Sequence, residues 1–179
     1  VQRDLPGADE REWRATRQLV ATEGMGAALL ARQDSDGQWA GGAYFPAAGH
    51  PTAWVKDQRG QPWTATTWSL KTLREWGLDA RVLAGTADAL ARNCRWDYDD
   101  LPYWGGEVDA CINGFTLATG TWLGADVSGL VGWFADHQLA DGGWNCEWVE
   151  GSTRSSFHST LNALEGLRYR QAHHHGDEG

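Results

Sequence analysis

A chain of 179 residues with 41% hydrophobic and 22% charged side chains has enough apolar material to bury a core and too little charge for a disordered tail. Its 24 acidic and 15 basic side chains leave a net charge of −9, which gives no basic footprint for nucleic acid or an anionic membrane surface. No run of about 18 apolar residues exists to cross a bilayer and Val1-Gln2-Arg3-Asp4 has no apolar signal core, so a cytoplasmic protein without a membrane span is expected. Three cysteines, an odd number, argue against a disulfide framework. Twelve tryptophans beside four Phe and four Tyr point instead to positional work for the indoles: stacking, hydrogen bonding or lining a pocket.

In chain order, residues 1–23 read as a charged lead-in, helical from about Asp9. A helix over Gly24 to Arg32 leads into Gln33-Asp34-Ser35-Asp36-Gly37-Gln38-Trp39, where Asp-Gly is a natural turn past a helix end. The long segment that follows holds Tyr44-Phe45-Pro46-Ala47-Ala48-Gly49-His50-Pro51, aromatic and Pro/Gly-rich, and loops of that length tend to be functional. A helix begins near Thr64, and one with a polar side spans Ala80 to Arg92 and ends in Asn93-Cys94-Arg95-Trp96. Cys111 to Leu123 carries no charged side chain and reads as an inner helix, whereas Val127 to His137 has a polar side and reads as outer. Gln138-Leu139-Ala140-Asp141-Gly142-Gly143-Trp144 repeats the first loop as Q-x-x-D-G-x-W, and a last helix begins near His158. Residues 24–171 form one repeat domain in this reading, and residues 172–179, with His173-His174-His175, are a disordered tail.

The three helices that follow the Trp-bearing loops align without gaps in steps of 47 residues, starting at Thr64, Cys111 and His158 and sharing Leu70, Leu117 and Leu164. Gly77 and Asp79 recur as Gly124 and Asp126. Helix, Trp-bearing loop and helix is therefore the repeating unit, an αα-hairpin present about three times. A generic helical bundle with coincidental spacing is the competing reading.

These loops and paired helices resemble the repeats of the terpenoid cyclase and protein prenyltransferase superfamily, which includes squalene cyclases and prenyltransferase beta subunits. The resemblance covers roughly residues 24–171 and implies an all-α fold, a partial α/α toroid whose inner helices surround an apolar cavity. It also implies that Trp39, Trp96 and Trp144 brace neighbouring hairpins. Three hairpins close only part of a ring, so a homodimer or a capping partner is expected to cover the open ends.

If the hairpins radiate around one axis, Thr64, Cys111 and His158 converge on one mouth of the cavity, with Asp109 beside them. Asp, Cys and His are competent zinc ligands, and a catalytic site uses three protein ligands plus an open position. The arrangement is similar to the zinc site of prenyltransferase beta subunits, an Asp-x-Cys pair on one inner helix and a His on a following one. The resemblance thus makes zinc the candidate cofactor at Asp109, Cys111 and His158, with Cys146 as a fourth ligand or a packing residue. The competing readings are a helix N-cap for Asp109, a small hydrophobe for Cys111 and a structural His158.

Asp97-Tyr98-Asp99-Asp100 matches the D-x-D-D general acid of class II terpene cyclases, in which crowded carboxylates keep one protonated. Asp97, Asp99 and Asp100 are candidates on that ground. They are followed by Leu101-Pro102 rather than running into the inner helix, and a solvated turn is the other reading. Trp63, Thr64, Trp68, Phe115 and Phe157 cluster at the inner-helix starts as candidate ligand-binding residues, suited to an isoprenoid-like or polycyclic ligand and able to hold a cation at their ring faces.

Two functions follow. One is a sequestering or carrier protein that binds an apolar or aromatic small molecule in a Trp-lined cavity. The other is an enzyme, metal-assisted at Asp109, Cys111 and His158 or acid-initiated at Asp97 to Asp100.

Overall fold

The computed structural model describes residues 9–51 and 62–174, and it is all-α: among these residues there are helices and isolated β-bridges but no strand. Helix α1 spans Glu10–Gln18, α2 Gly24–Leu30, α3 Thr66–Trp76, α4 Thr86–Asn93, α5 Ala110–Leu123, α6 Ser128–Asp136 and α7 Phe157–His174. None of them is long and apolar enough to cross a membrane. Local chemistry accounts for many of their ends. Asp9 caps α1 by accepting the N–H of Glu12 at 2.8 Å, with Glu10 and Glu12 in the first turn and Arg17 in the last, the charge order a helix dipole favours.

Two helix ends repeat in detail. Gly77 and Gly124 close α3 and α5 in the left-handed region, at φ +86° and +74°. The next residue returns a hydrogen bond to the helix in both, from Leu78 to Leu73 O at 3.0 Å and from Ala125 to Gly120 O at 2.8 Å. Asp79 and Asp126 then each accept the N–H two residues on, from Arg81 and Ser128.

The two Q-x-x-D-G-x-W loops share one bonding scheme. Gln33 and Gln138 donate through Nε2 to the carbonyls of Gly37 and Gly142, and both glycines sit at φ +90°. Trp39 and Trp144 donate their indole N–H to Leu29 O and Phe134 O, and their backbone N–H to Thr66 Oγ1 and Thr160 Oγ1, each at 3.0 Å.

The segment around Trp96 differs. Without an Asp-Gly turn the chain forms an Arg95–Pro102 bridge, and the Trp96 indole donates forward to Tyr103 O. The bond back to the preceding helix comes from Trp104 Nε1 to Ala87 O at 2.9 Å. The helix expected over Ala80 to Arg92 is likewise two pieces, a 3-10 turn at Ala80–Leu83 and α4, because Gly85 at φ +83° reverses the chain between them. The last helix continues through His174, with His173 stacked on Tyr169 at 4.0 Å.

The core centres on α5, ten of whose residues are buried, from Ala110 to Gly120. It lies between α3 and α7, with its most extensive contact along α7. At the shared register position Leu70 and Leu117 are 0% exposed, whereas Leu164 on α7 is 51% exposed. The same outer face of α7 carries Phe157 and Leu161.

Candidate functional site

The residue that opens α5 does not cap it. Asp109 occupies the N-cap position, yet its side chain accepts no bond from its own helix, and Cys111 follows one residue into the first turn. The lead into the helix is held from below by Asn113, fully buried, whose side chain accepts the N–H of Glu107 at 2.7 Å and donates to the Glu107 carbonyl at 2.6 Å. Glu107 in turn accepts the N–H of Asp109 at 2.7 Å.

Cys146 reaches this point from 35 residues away, at the start of the 3-10 turn Cys146–Glu150 behind the Trp144 loop. Asn145 fixes the turn by accepting the N–H of Glu147, and the Trp148 indole donates to Val108 O at 2.8 Å, which docks the turn against the approach to α5. The buried Ser159 of α7 accepts the Cys146 N–H and donates its hydroxyl to the Cys146 sulfur, both at 3.2 Å.

The result is a half-buried group of three donors. Asp109, Cys111 and Cys146 offer ligand atoms that all lie within 4.8 Å of one another, and the two Sγ atoms are 3.2 Å apart. The two thiols are in hydrogen-bond contact. Contact with Cys146 and burial hold the Cys111 thiol up, while contact with Cys111 and the Ser159 hydroxyl draw the Cys146 thiol down. Burial raises the Asp109 carboxyl, offset by its contact with Cys146.

Two soft sulfurs and a carboxylate are a donor set suited to zinc. Zinc–sulfur bonds of about 2.3 Å in a tetrahedron would spread the sulfurs to roughly 3.7 Å, a small movement from where they stand. Among the described residues one Asp/Cys/Cys group of this kind could hold a metal.

His158 is not in this group. It lies exposed in the first turn of α7, where its ring Nε2 contacts the Asn162 amide at 3.1 Å. Cys146, at the margin of the expected set, stands where the histidine was expected.

Beside Asp109 opens a cavity of about 350 Å³. Its aromatic lining is Tyr44, Phe45, Trp96 and Tyr98, its polar lining is Asp97, Glu107 and Asp109, and Ile112 completes it. A ladder of rings leads inward from it: Phe45 to Tyr44 at 5.1 Å, Tyr44 to Trp68 at 5.4 Å and Trp68 to Phe115 at 5.8 Å. Burial raises the Tyr44 hydroxyl, and Cys111, Asp109, Cys146 and Glu107 add to the rise, so this tyrosine links the ring ladder to the donor group. The Glu107 carboxyl is raised by burial, with Asp109 and Asp97 contributing repulsion.

Of the expected ligand-binding residues, Trp68 and Phe115 belong to this ladder and Thr64 is half-buried. Trp63 and Phe157 are turned to solvent, 62% and 87% exposed. Of the acidic triplet only Asp97 lines the cavity, accepting the backbone N–H groups of Tyr44 and Phe45 at 3.3 and 3.4 Å. Asp99 and Asp100 are exposed at φ +51° and +55° in the turn beyond, outside the cavity lining. Trp96, buried in the core and stacked on Tyr103 at 4.8 Å, also lines the cavity.

Tyr44 and Phe45 sit in the long first segment that marks a functional loop by its length. Glu107 had only its place two residues before Asp109 as a signal.

No protein-family model, curated protein or solved structure matches the chain.

Proposed function

We propose that the protein holds a zinc ion at Asp109, Cys111 and Cys146 and binds a small molecule in the adjoining aromatic cavity. The observation that carries this reading is the shared residue: Asp109 belongs both to the three-donor group and to the cavity lining. A ligand in the cavity would therefore sit against the metal. With three protein ligands, zinc keeps a fourth position that can take a sulfur or oxygen atom of the ligand, or a water whose proton it makes easier to lose.

This supports a metal-bearing carrier or sequestering protein, and the open fourth position is the feature that would let the same site work as an enzyme. The reading is compatible with a partial toroid of the terpenoid cyclase and prenyltransferase kind, with the second cysteine in place of the histidine. It also fits a cytoplasmic setting, where two thiols 3.2 Å apart stay reduced.

Metal analysis of the purified chain tests the proposal. About one zinc per chain is expected, lost in Cys111→Ala and Cys146→Ala and kept in His158→Ala and Cys94→Ala. A chelator should lower the melting temperature, since a ligand of the folded state at 1,000 times its Kd adds about 4 kcal/mol. A protein that takes up no zinc and melts identically with chelator would overturn it.

A further inference from the structure

The cavity beside Asp109 carries charge that no described side chain balances. Asp97, Glu107 and Asp109 line it, no described Lys or Arg does, and none of the three forms an ion pair with a described residue. A zinc ion held by Asp109 and two thiolates would leave that group with a net charge of −1 and would not balance Asp97 or Glu107. Both remaining carboxylates are held in place: Asp97, itself exposed, through Oδ2 to the backbone of Tyr44 and Phe45, and the half-buried Glu107 through Oε2 to the backbone of Asp109. The Asp97 Oδ1 accepts no hydrogen bond from a described residue.

The walls answer which cation. A compact, strongly hydrated ion needs a cage of oxygens, whereas this cavity is lined by four aromatic side chains, and the negative quadrupole of an aromatic ring attracts a diffuse cation that sheds its water easily. About 350 Å³ is room for an ammonium head with carbon substituents rather than for a bare ion.

We propose that this cavity selects an organic ammonium ion, its alkylated nitrogen against Tyr44, Phe45, Trp96 and Tyr98 and its charge between Asp97 and Glu107. The inference rests on the reading above that this cavity is the ligand chamber, and it replaces an apolar ligand with a cationic one.

Calorimetric titration of the zinc-treated full chain with choline and with 3,3-dimethylbutan-1-ol tests it, because the two have the same shape and differ by the charge. Choline should bind at least tenfold more tightly. Asp97→Asn, whose amide oxygen can still accept the Tyr44 and Phe45 N–H groups, should weaken choline at least fivefold and leave the alcohol unchanged. Tyr98→Leu, which removes a ring face at an exposed position, should do the same. Asp88→Asn, an exposed carboxylate on α4, should change neither, which separates the cavity from the general field of an acidic protein.

Equal binding of the two compounds, preference for the alcohol, or no saturable choline binding would each overturn the ammonium assignment. A chelator-treated sample run in parallel keeps the two proposals apart. Choline selectivity without zinc uptake removes the metal and leaves the cavity assignment, and zinc uptake without selectivity does the reverse.

Discussion

Gly114 on α5 and Gly166 on α7 meet with no room for a methyl group on either. A Cβ on Gly114 would stand 2.2 Å from the Asn162 carbonyl oxygen, and one on Gly166 would stand 2.4 Å from the carbonyl oxygen of Gly114. Both obstacles are backbone, so the helices must move apart to admit a side chain. Gly166→Ala is expected to destabilise by about 1–3 kcal/mol through overpacking. Gly132 in α6 is the control, because a Cβ there meets nothing within 4 Å, and Gly132→Ala should stabilise by about 0.5–1 kcal/mol through backbone entropy. Chemical denaturation of both variants reads the contrast, and equal effects would contradict the close approach.

The repeated threonines make a second test. Thr66 and Thr160 each accept the backbone N–H of the loop tryptophan at 3.0 Å, and Thr66 is the more deeply buried. Thr66→Val keeps the shape and strands the Trp39 N–H, at a cost of about 1–3 kcal/mol. Thr160→Val should cost less, because water reaches that bond. A urea midpoint for Thr66→Val indistinguishable from the parent would rule out the bracing role.

Leu117 and Leu164 occupy one register position in successive repeats and should respond oppositely. Leu117→Ala opens a cavity in the core and is expected to cost about 2–5 kcal/mol. Leu164→Ala removes an exposed side chain and should fall within about 0.5 kcal/mol of the parent protein. A large loss at Leu164 would mean that its face is covered in solution.

Alkaline pH should weaken the fold through Cys94. Burial pushes this thiol from 9.0 up to about 12, so between those values the unfolded chain has lost a proton that the folded one keeps. Stability is therefore intact below pH 9 and falls as pH rises towards 12, by an amount on the order of a few kcal/mol. Tyr103, fully buried and bonded to Thr67 at 3.0 Å, is raised by burial and acts in the same direction. Cys94→Ala should flatten the decline between pH 9 and 10.5 in urea titrations. An unchanged slope would show that the thiol is not held neutral by the core.

What was legible in the sequence is what is decided within a few residues. Asp-Gly past a helix end, Gly77 and Gly124 at the αL positions, and Asp79 and Asp126 bonding two residues ahead are local backbone chemistry, and they recur wherever the letters recur. The apolar run from Cys111 to Leu123 marks a buried helix for the same reason: its composition has no wet side. The all-α class follows from these features. The donor group was legible only in part, since Asp109 and Cys111 share one helix start while their partner comes from elsewhere. Whether Cys146 or His158 joins them depends on the rotation of α7 about its axis and on the Trp148 to Val108 bond, which docks a 3-10 turn against a distant loop. The same holds for Tyr44, brought beside Trp68 and the cysteines across the core, and for Trp96, whose indole bonds forward to Tyr103 where those of Trp39 and Trp144 bond back to the preceding helix. Near-neighbour sterics write themselves into residue types, whereas the placement of one rigid element on another is settled by packing over the whole surface, and only the tertiary structure records it.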